Sequence, residues 1–268
     1  MTSKMVAVIT GASSGLGKAT ALLFARNGYR LSLCGRNEKA LEGVAVNCLK
    51  EGGLADDQVL TIIGDVCEEI TLKNIVSQTD ERFGRIDVLV RDENYIVKLN
   101  FPLKVNCAGI ISPGGAEDTS LSVLDGLMDV NVKSMIRLSQ LAVPHLQKTK
   151  GNILAASLEF ARSPQSLTIA SPKLPWTNSP NVFQWNWHRK GFESTLPALI
   201  VTELHRRSGM PEEQYNDFVR RGAQTHALGR VGTPEEVASS ILFLARDATF
   251  TTGQLLKIDG GKALITPR

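Results

Sequence analysis

The sequence predicts an α/β protein: a doubly wound parallel sheet in a single domain spanning residues 1–268. Three observations carry this. In the first half of the chain, short apolar runs alternate with helical patterns, as βαβ units do. A glycine-rich turn, Thr10-Gly11-Ala12-Ser13-Ser14-Gly15-Leu16-Gly17, joins the first strand to the first helix. A chain of 268 residues, 43% apolar and 21% charged, is long enough for one large core and shows neither internal repeat nor linker.

Taken in order, Met5–Thr10 is the first strand, followed by a helix from about Lys18 to Asn27 that Gly28 closes. Arg30–Cys34, Leu60–Ile63 and Ile86–Val90 are the next strands, the last cut off by Arg91-Asp92-Glu93-Asn94. A long helical pattern covers about Ser120 to Thr149 and leads into strand-like Asn152–Ala156. Glu235–Ala245 is a helix opened by Thr233 as N-cap and Pro234 in the first turn. Gln254–Ile258 makes a final strand. A seven-stranded sheet is therefore expected over residues 1–90, 106–157 and 230–262, with irregular chain at 91–105 and 160–196.

Composition narrows the function classes. The net charge of +3 is small and scattered, so neither nucleic acid nor a membrane surface is an expected partner. No run approaches the roughly 20 apolar residues of a membrane span, and the chain enters Val6-Ala7-Val8-Ile9 without a signal-like leader. Cys34, Cys48, Cys67 and Cys107 lack metal-ligand spacing and read as reduced thiols. A cytoplasmic protein without a metal site is the expectation.

The glycine turn has a chemistry. Glycines between a strand and a helix let the backbone turn tightly and approach a pyrophosphate, whose charge the helix N-terminal N–H groups stabilise. Gly11, Ser13, Ser14, Gly15, Leu16 and Gly17 are the candidate cofactor residues here, which makes the fold Rossmann-type. An acid at the end of the second strand would hold the ribose hydroxyls of NAD. This strand instead ends Cys34-Gly35-Arg36-Asn37, and a guanidinium suits a 2′-phosphate. NADP is the expected cofactor, ahead of NAD.

With TGASSGLG go Gly64-Asp65-Val66, Asn106-Cys107-Ala108-Gly109, Asn131 and the tail "GRVGTPEEVASSILFLARDATFTTGQLLKIDGG". Together these resemble the motifs of the short-chain dehydrogenase/reductase family, in order and over nearly the whole chain. The resemblance implies hydride transfer between a nicotinamide and a small carbonyl or alcohol substrate. It puts Asp65 and Val66 at the adenine, Asn106, Ala108 and Gly109 along the cofactor, and Thr202 near the carboxamide. Asn131 matches the family's catalytic asparagine. Ser157 stands one place before the serine slot that holds the substrate oxygen. The resemblance also implies a homo-oligomer, tetramer or dimer, where the interface helix is intact. The region "HRRSGMPEEQYNDFVRRGAQTHALG" corresponds to variable substrate-side helices. Its Arg206, Arg207, Arg220 and Arg221 read as solvated helix faces, and His205 and His226 lack metal-ligand partners.

The pattern breaks twice. "RDENYIVKLNFPLKV", residues 91–105, separates "GRIDVLV" from "NCAGI"; removing these fifteen residues, 45 nucleotides, restores "IDVLVNCAGI", as a retained intron would allow. The family's Tyr-x-x-x-Lys helix is also missing: Tyr29, Tyr95 and Tyr215 are followed four places on by Leu33, Leu99 and Val219. In its place residues 160–196 hold all three tryptophans. Reading from each codon's third base, Trp176-Thr177 forces aspartate, Trp185-Asn186 glutamate, Asn186-Trp187 leucine and Trp187-His188 alanine. Permitted codons then give "YRITKAALDQFT" and "ELAPKGVRVNS", similar to the missing helix and the strand after it. A shifted reading frame accounts for the segment. Two alternatives stay open: a nucleotide-binding protein without catalysis, and an unstable product, since Pro164, Pro172, Pro175 and Pro180 oppose a helix.

Overall fold

The computed structural model describes residues 4–93, 120–157, 192–197, 199–202, 211–253 and 255–265. Among these residues seven strands form one parallel sheet in the order β3-β2-β1-β4-β5-β6-β7. The strands are β1 Val6–Thr10, β2 Arg30–Gly35, β3 Val59–Ile63, β4 Val88–Glu93, β5 Asn152–Ser157, β6 Phe192–Pro197 and β7 Leu255–Ile258. Strand order reverses between β1 and β4, and in such sheets the crevice at the carboxyl ends there is the ligand site.

The strands alternate their side chains between two helical layers. From β1, Ala7 and Ile9 enter one core with α1 (Gly15–Arg26), α2 (Glu38–Gly52) and α7 (Pro234–Arg246). Val8 enters the other, with α3 (Glu69–Phe83) and α5 (Ser134–Thr149). β1 is buried along its whole length, as a central parallel strand must be. Two helices begin on caps legible in the sequence. Asn37 accepts from the Ala40 N–H at 3.0 Å to open α2. At α7, Thr233 and Glu236 form a reciprocal capping box with Pro234 in the first turn.

Differences from expectation sit at the carboxyl edge of the sheet. The fourth strand does not stop at Val90: β4 continues through Arg91, Asp92 and Glu93, paired with β5 up to Glu93 opposite Ser157. Residues 192–197, inside or bordering the segment expected to be irregular, form β6. They pair with β5 on one side and β7 on the other. The reason is common to both places. Ladder pairing uses main-chain N–H and C=O groups, so a flanking strand can recruit a segment whose side chains do not advertise a strand. The sheet thus reaches beyond 1–90, 106–157 and 230–262. The rest of 91–105 and 160–196 lies outside the described residues.

The long helical pattern over 120–149 is real but interrupted. α4 (Leu121–Met128) passes through a π turn at Asp129–Lys133 into α5. α6 (Glu212–Gln224) supplies one helix in the substrate-side region. Cys34, Cys48 and Cys67 are free thiols, and burial pushes Cys34 and Cys48 up to about 12, leaving them protonated and inert. Among the described residues no helix is long and apolar enough to cross a membrane, and no cluster of His, Cys, Asp and Glu could hold a metal ion.

Candidate cofactor and active site

At the switch point β1 ends on Thr10 and the chain turns through Gly11 at φ 67°. The turn is held to the sheet by the Ala12 N–H, which donates to the Cys34 carbonyl at 3.0 Å. Gly17 is required by proximity: a Cβ there would lie 2.4 Å from the Gly11 carbonyl oxygen. Gly15 sits at φ 54°, and its missing Cβ would be 3.7 Å from Thr202 Cγ2. Thr202 thereby lies against the start of α1. Its strand-like segment is fixed by the Val201 N–H donating to the Gly232 carbonyl at 3.0 Å.

Ser13, Ser14 and Leu16 are buried in the same turn. α1 starts without a side-chain cap at Ser14 and without an acid in its first turn. No acid in its own first turn offsets the positive end of its dipole, which suits an anion. The cradle fits a dinucleotide pyrophosphate: a backbone stripped of side chains where it must come close, set before an uncapped helix.

At the next strand ends, parallel register brings two further candidates together. Gly35 of β2 is opposite Ile63 of β3, and the Gly64 N–H donates to the Gly35 carbonyl at 3.3 Å. One residue on, Arg36 Nη1 donates to Asp65 Oδ2 at 2.9 Å. Asp65 Oδ1 accepts the Cys67 N–H at 2.9 Å. Partial burial opposes the Asp65 charge, but the Cys67 N–H and the Arg36 guanidinium outweigh it and hold the carboxyl below its usual range. Val66 is buried beside it. No stretch of sequence hints at this pairing, because Arg36 and Asp65 are 29 residues apart and only the β2–β3 register joins them.

The chemistry-bearing candidates are placed more sparsely. Asn131 lies within the π turn, a local widening of the helix often found at functional sites. The turn is braced by the Ser134 hydroxyl donating to the Val130 carbonyl and by a Lys133–Asp129 ion pair of 2.6 Å. Ser157 is the last residue of β5, at the same sheet edge as the glycine turn. Asn106, Ala108 and Gly109 lie outside the described residues.

Neither described tyrosine offers an accessible acid. Tyr29 is 1% exposed, stacks on Phe24 with ring centroids 4.7 Å apart, and has its hydroxyl pushed up by burial. Tyr215 is 3% exposed in α6. His226 is buried too, with Nδ1 2.6 Å from the Gly222 carbonyl. Arg220 and Arg221 stand on the α6 surface and both reach Asp217.

The family model described as short chain dehydrogenase matches residues 5–170, beginning one residue before β1. The chain belongs to the short-chain dehydrogenase family. A second family model, enoyl-(acyl carrier protein) reductase, matches residues 194–263. The chain is similar to L-fucose dehydrogenase of Mus musculus, 31% identical over 98% of this chain and 89% of that protein. It is also similar to meso-2,3-butanediol dehydrogenase of Serratia marcescens, 29% identical over 96% and 93% of the two chains. Among solved structures, a short-chain dehydrogenase/reductase of unknown function from Caenorhabditis elegans, crystallised with cofactor, superposes with a TM-score of 0.85. Its identity is 28%, covering 98% of this chain and 96% of that one. As a short-chain dehydrogenase the protein is an oxidoreductase, of a family that uses nicotinamide cofactors and small-molecule substrates.

Proposed function

We propose that the protein is an NADP-dependent oxidoreductase acting on a small carbonyl compound or the corresponding alcohol. The observation that supports the cofactor choice is Arg36, where an NAD-binding sheet would carry an acid. In this reading residues 11–17 hold the pyrophosphate, Arg36 the 2′-phosphate, and Asp65 and Val66 the adenine. Asn106, Ala108 and Gly109 line the cofactor, and Thr202 receives the carboxamide. When bound, the dinucleotide gives or takes the hydride. Asn131 orders the helix backbone beside the site, and Ser157 holds the substrate oxygen.

The proton step has no owner in this chain. The family's tyrosine protonates the developing alkoxide and its lysine lowers the phenol pKa, yet no tyrosine here has lysine four places on. Loss of a general acid alone costs about 10²–10⁴ in rate. That observation favours a second reading for the chain as it stands: nucleotide binding without turnover. We assign activity to the form in which the shifted segment encodes Tyr-x-x-x-Lys. We also propose a homo-oligomer, dimer or tetramer, in the cytoplasm.

The test compares this chain with a version lacking residues 91–105 and read in the shifted frame across the tryptophan segment. NADPH and NADH binding is followed by fluorescence, and turnover on a panel that includes L-fucose and 2,3-butanediol, the compounds named for the relatives. Tighter binding of NADPH by both and turnover by the restored form alone is the expected result. Turnover by the unaltered chain overturns the missing-donor account. Binding by the restored form without turnover leaves the second reading, and binding by neither removes the cofactor assignment. Light scattering reads the oligomer.

A further inference from the structure

We propose that Asp65 sets cofactor selectivity by occupying Arg36 in the place of the 2′-phosphate, so that NADP(H) must displace an internal carboxylate that NAD(H) leaves alone. The inference rests on the reading that the adenosine end of the cofactor lies at the carboxyl ends of β2 and β3.

The sheet itself builds the device. Backbone register sets Gly35 opposite Ile63, and the Gly64–Gly35 hydrogen bond extends that register by one step. Arg36 and Asp65 are therefore neighbours by construction, 2.9 Å apart. Asp65 is held by the Cys67 N–H through its other oxygen and lies at the mouth of the turn into α3. Arg36 reaches it from a long, jointed side chain. Both side chains keep contact with solvent, at 28% and 30% exposure, so a ligand can reach the pair. Gly35 adds the adjacency to the pyrophosphate cradle: a Cβ on it would lie 3.3 Å from the Ser13 side chain.

Chemistry fixes the direction of the effect. A carboxylate offers the guanidinium one charge and two acceptor oxygens. A phosphate monoester carries a charge of about −1.5 to −2 and three strong acceptors, so it can take the guanidinium over. The takeover strips Asp65 of its cationic partner and leaves it near a second anion, which subtracts from NADP(H) affinity. Asp65→Asn keeps the acceptor for the Cys67 N–H and the side-chain shape, and removes the competing charge.

The experiment titrates the full chain with 2′,5′-ADP and with 5′-AMP by calorimetry, for the unaltered protein, Asp65→Asn, Arg36→Ala and the double variant. Asp65→Asn should raise the affinity ratio of 2′,5′-ADP to 5′-AMP about fivefold, the ceiling for a partly exposed charge pair; any loss at the adenine is shared by both nucleotides and cancels in the ratio. Arg36→Ala should remove the preference for 2′,5′-ADP, and adding Asp65→Asn to it should restore nothing. Equal shifts for both nucleotides, or a lower ratio in Asp65→Asn, overturn the inference. So does a full gain that survives without Arg36, since that would be plain repulsion rather than occupancy. Failure of the unaltered chain to bind either nucleotide is a different result: it removes the cofactor site itself, and this inference with it. Thermal unfolding of each variant guards against loss of fold.

Discussion

β3, β2 and β1 are each joined to the next element through turns that the sequence spells out, and their helices α1, α2 and α3 lie within the first 83 residues. On the other side of the switch point, β4 runs into residues 91–105, and residues 160–196 follow β5 and lead into β6, the two segments that break the order of the family's motifs. In the proposed reading the first side carries the anion cradle, whose function is performed mainly by backbone. The second should carry the proton relay, whose function needs particular side chains. Backbone recognition survives wherever the sheet forms, whereas the proposed change of codon reading would erase side-chain chemistry and still leave a strand such as β6.

One element links the two sides. α7 follows the anomalous segments in the chain, yet Val237, Ile241 and Leu244 pack in the core beside α1. The Asn152 side chain also donates to the Leu244 carbonyl at 3.1 Å, tying β5 to the same helix. Ile241→Ala should therefore destabilise the cofactor side by about 3 kcal/mol, although the residue lies far along the chain. Denaturant unfolding followed by NADPH fluorescence checks it. If nucleotide binding and stability are untouched, the two sides are independent of each other.

Asp87 probes the boundary in the other direction. Its buried carboxylate accepts the Val6 N–H and an Arg85 fork, fastening the start of β4 to the start of β1. Asp87→Ala leaves the buried Val6 donor without its acceptor and should cost about 2 kcal/mol in urea unfolding. Gly17→Ala should cost about 1–2 kcal/mol through the clash with the Gly11 carbonyl. Its larger signature is nucleotide affinity, expected to fall at least about tenfold as the cradle shifts. Unchanged affinity would mean that the glycine turn is only a turn.

The smallest effect is electrostatic. The Arg230 guanidinium and the Thr233 N–H hold the Glu236 carboxyl down to about 2. Because the folded value is depressed, this contribution is present above the unfolded value near 4.5 and is lost as pH falls towards 2. Glu236→Gln keeps a capping residue and deletes the charge. Solvent screening limits the loss to about 0.5 kcal/mol at neutral pH. Melting temperatures of the two proteins should differ slightly above pH 5 and converge in acid; a gap that widens in acid contradicts the assignment.

What the residues disclosed in advance was the part governed by local rules. The cradle from Gly11 to Gly17, the capping residues Thr233 and Pro234, and the strands on the first side each depend on neighbours in sequence. The β6 strand was hidden because Phe-Glu-Ser-Thr-Leu-Pro lacks an apolar run, and its pairing comes from β5 and β7. The π turn at Asn131 was hidden because apolar periodicity continues through it from α4 to α5. The Arg36–Asp65 contact needed a register, which no window of sequence contains.

The late arrival of α7 also has a consequence during synthesis. On the ribosome the first three strands and helices emerge with one flank of α1 bare, and the covering helix follows roughly 150 residues later, about 10–30 s at ordinary elongation rates. Throughout that interval the nascent chain displays the flank of α1 that α7 later covers to chaperones and to other nascent chains. Translation speed and chaperone supply therefore bear on how much of this protein accumulates, independently of any substrate it meets afterwards.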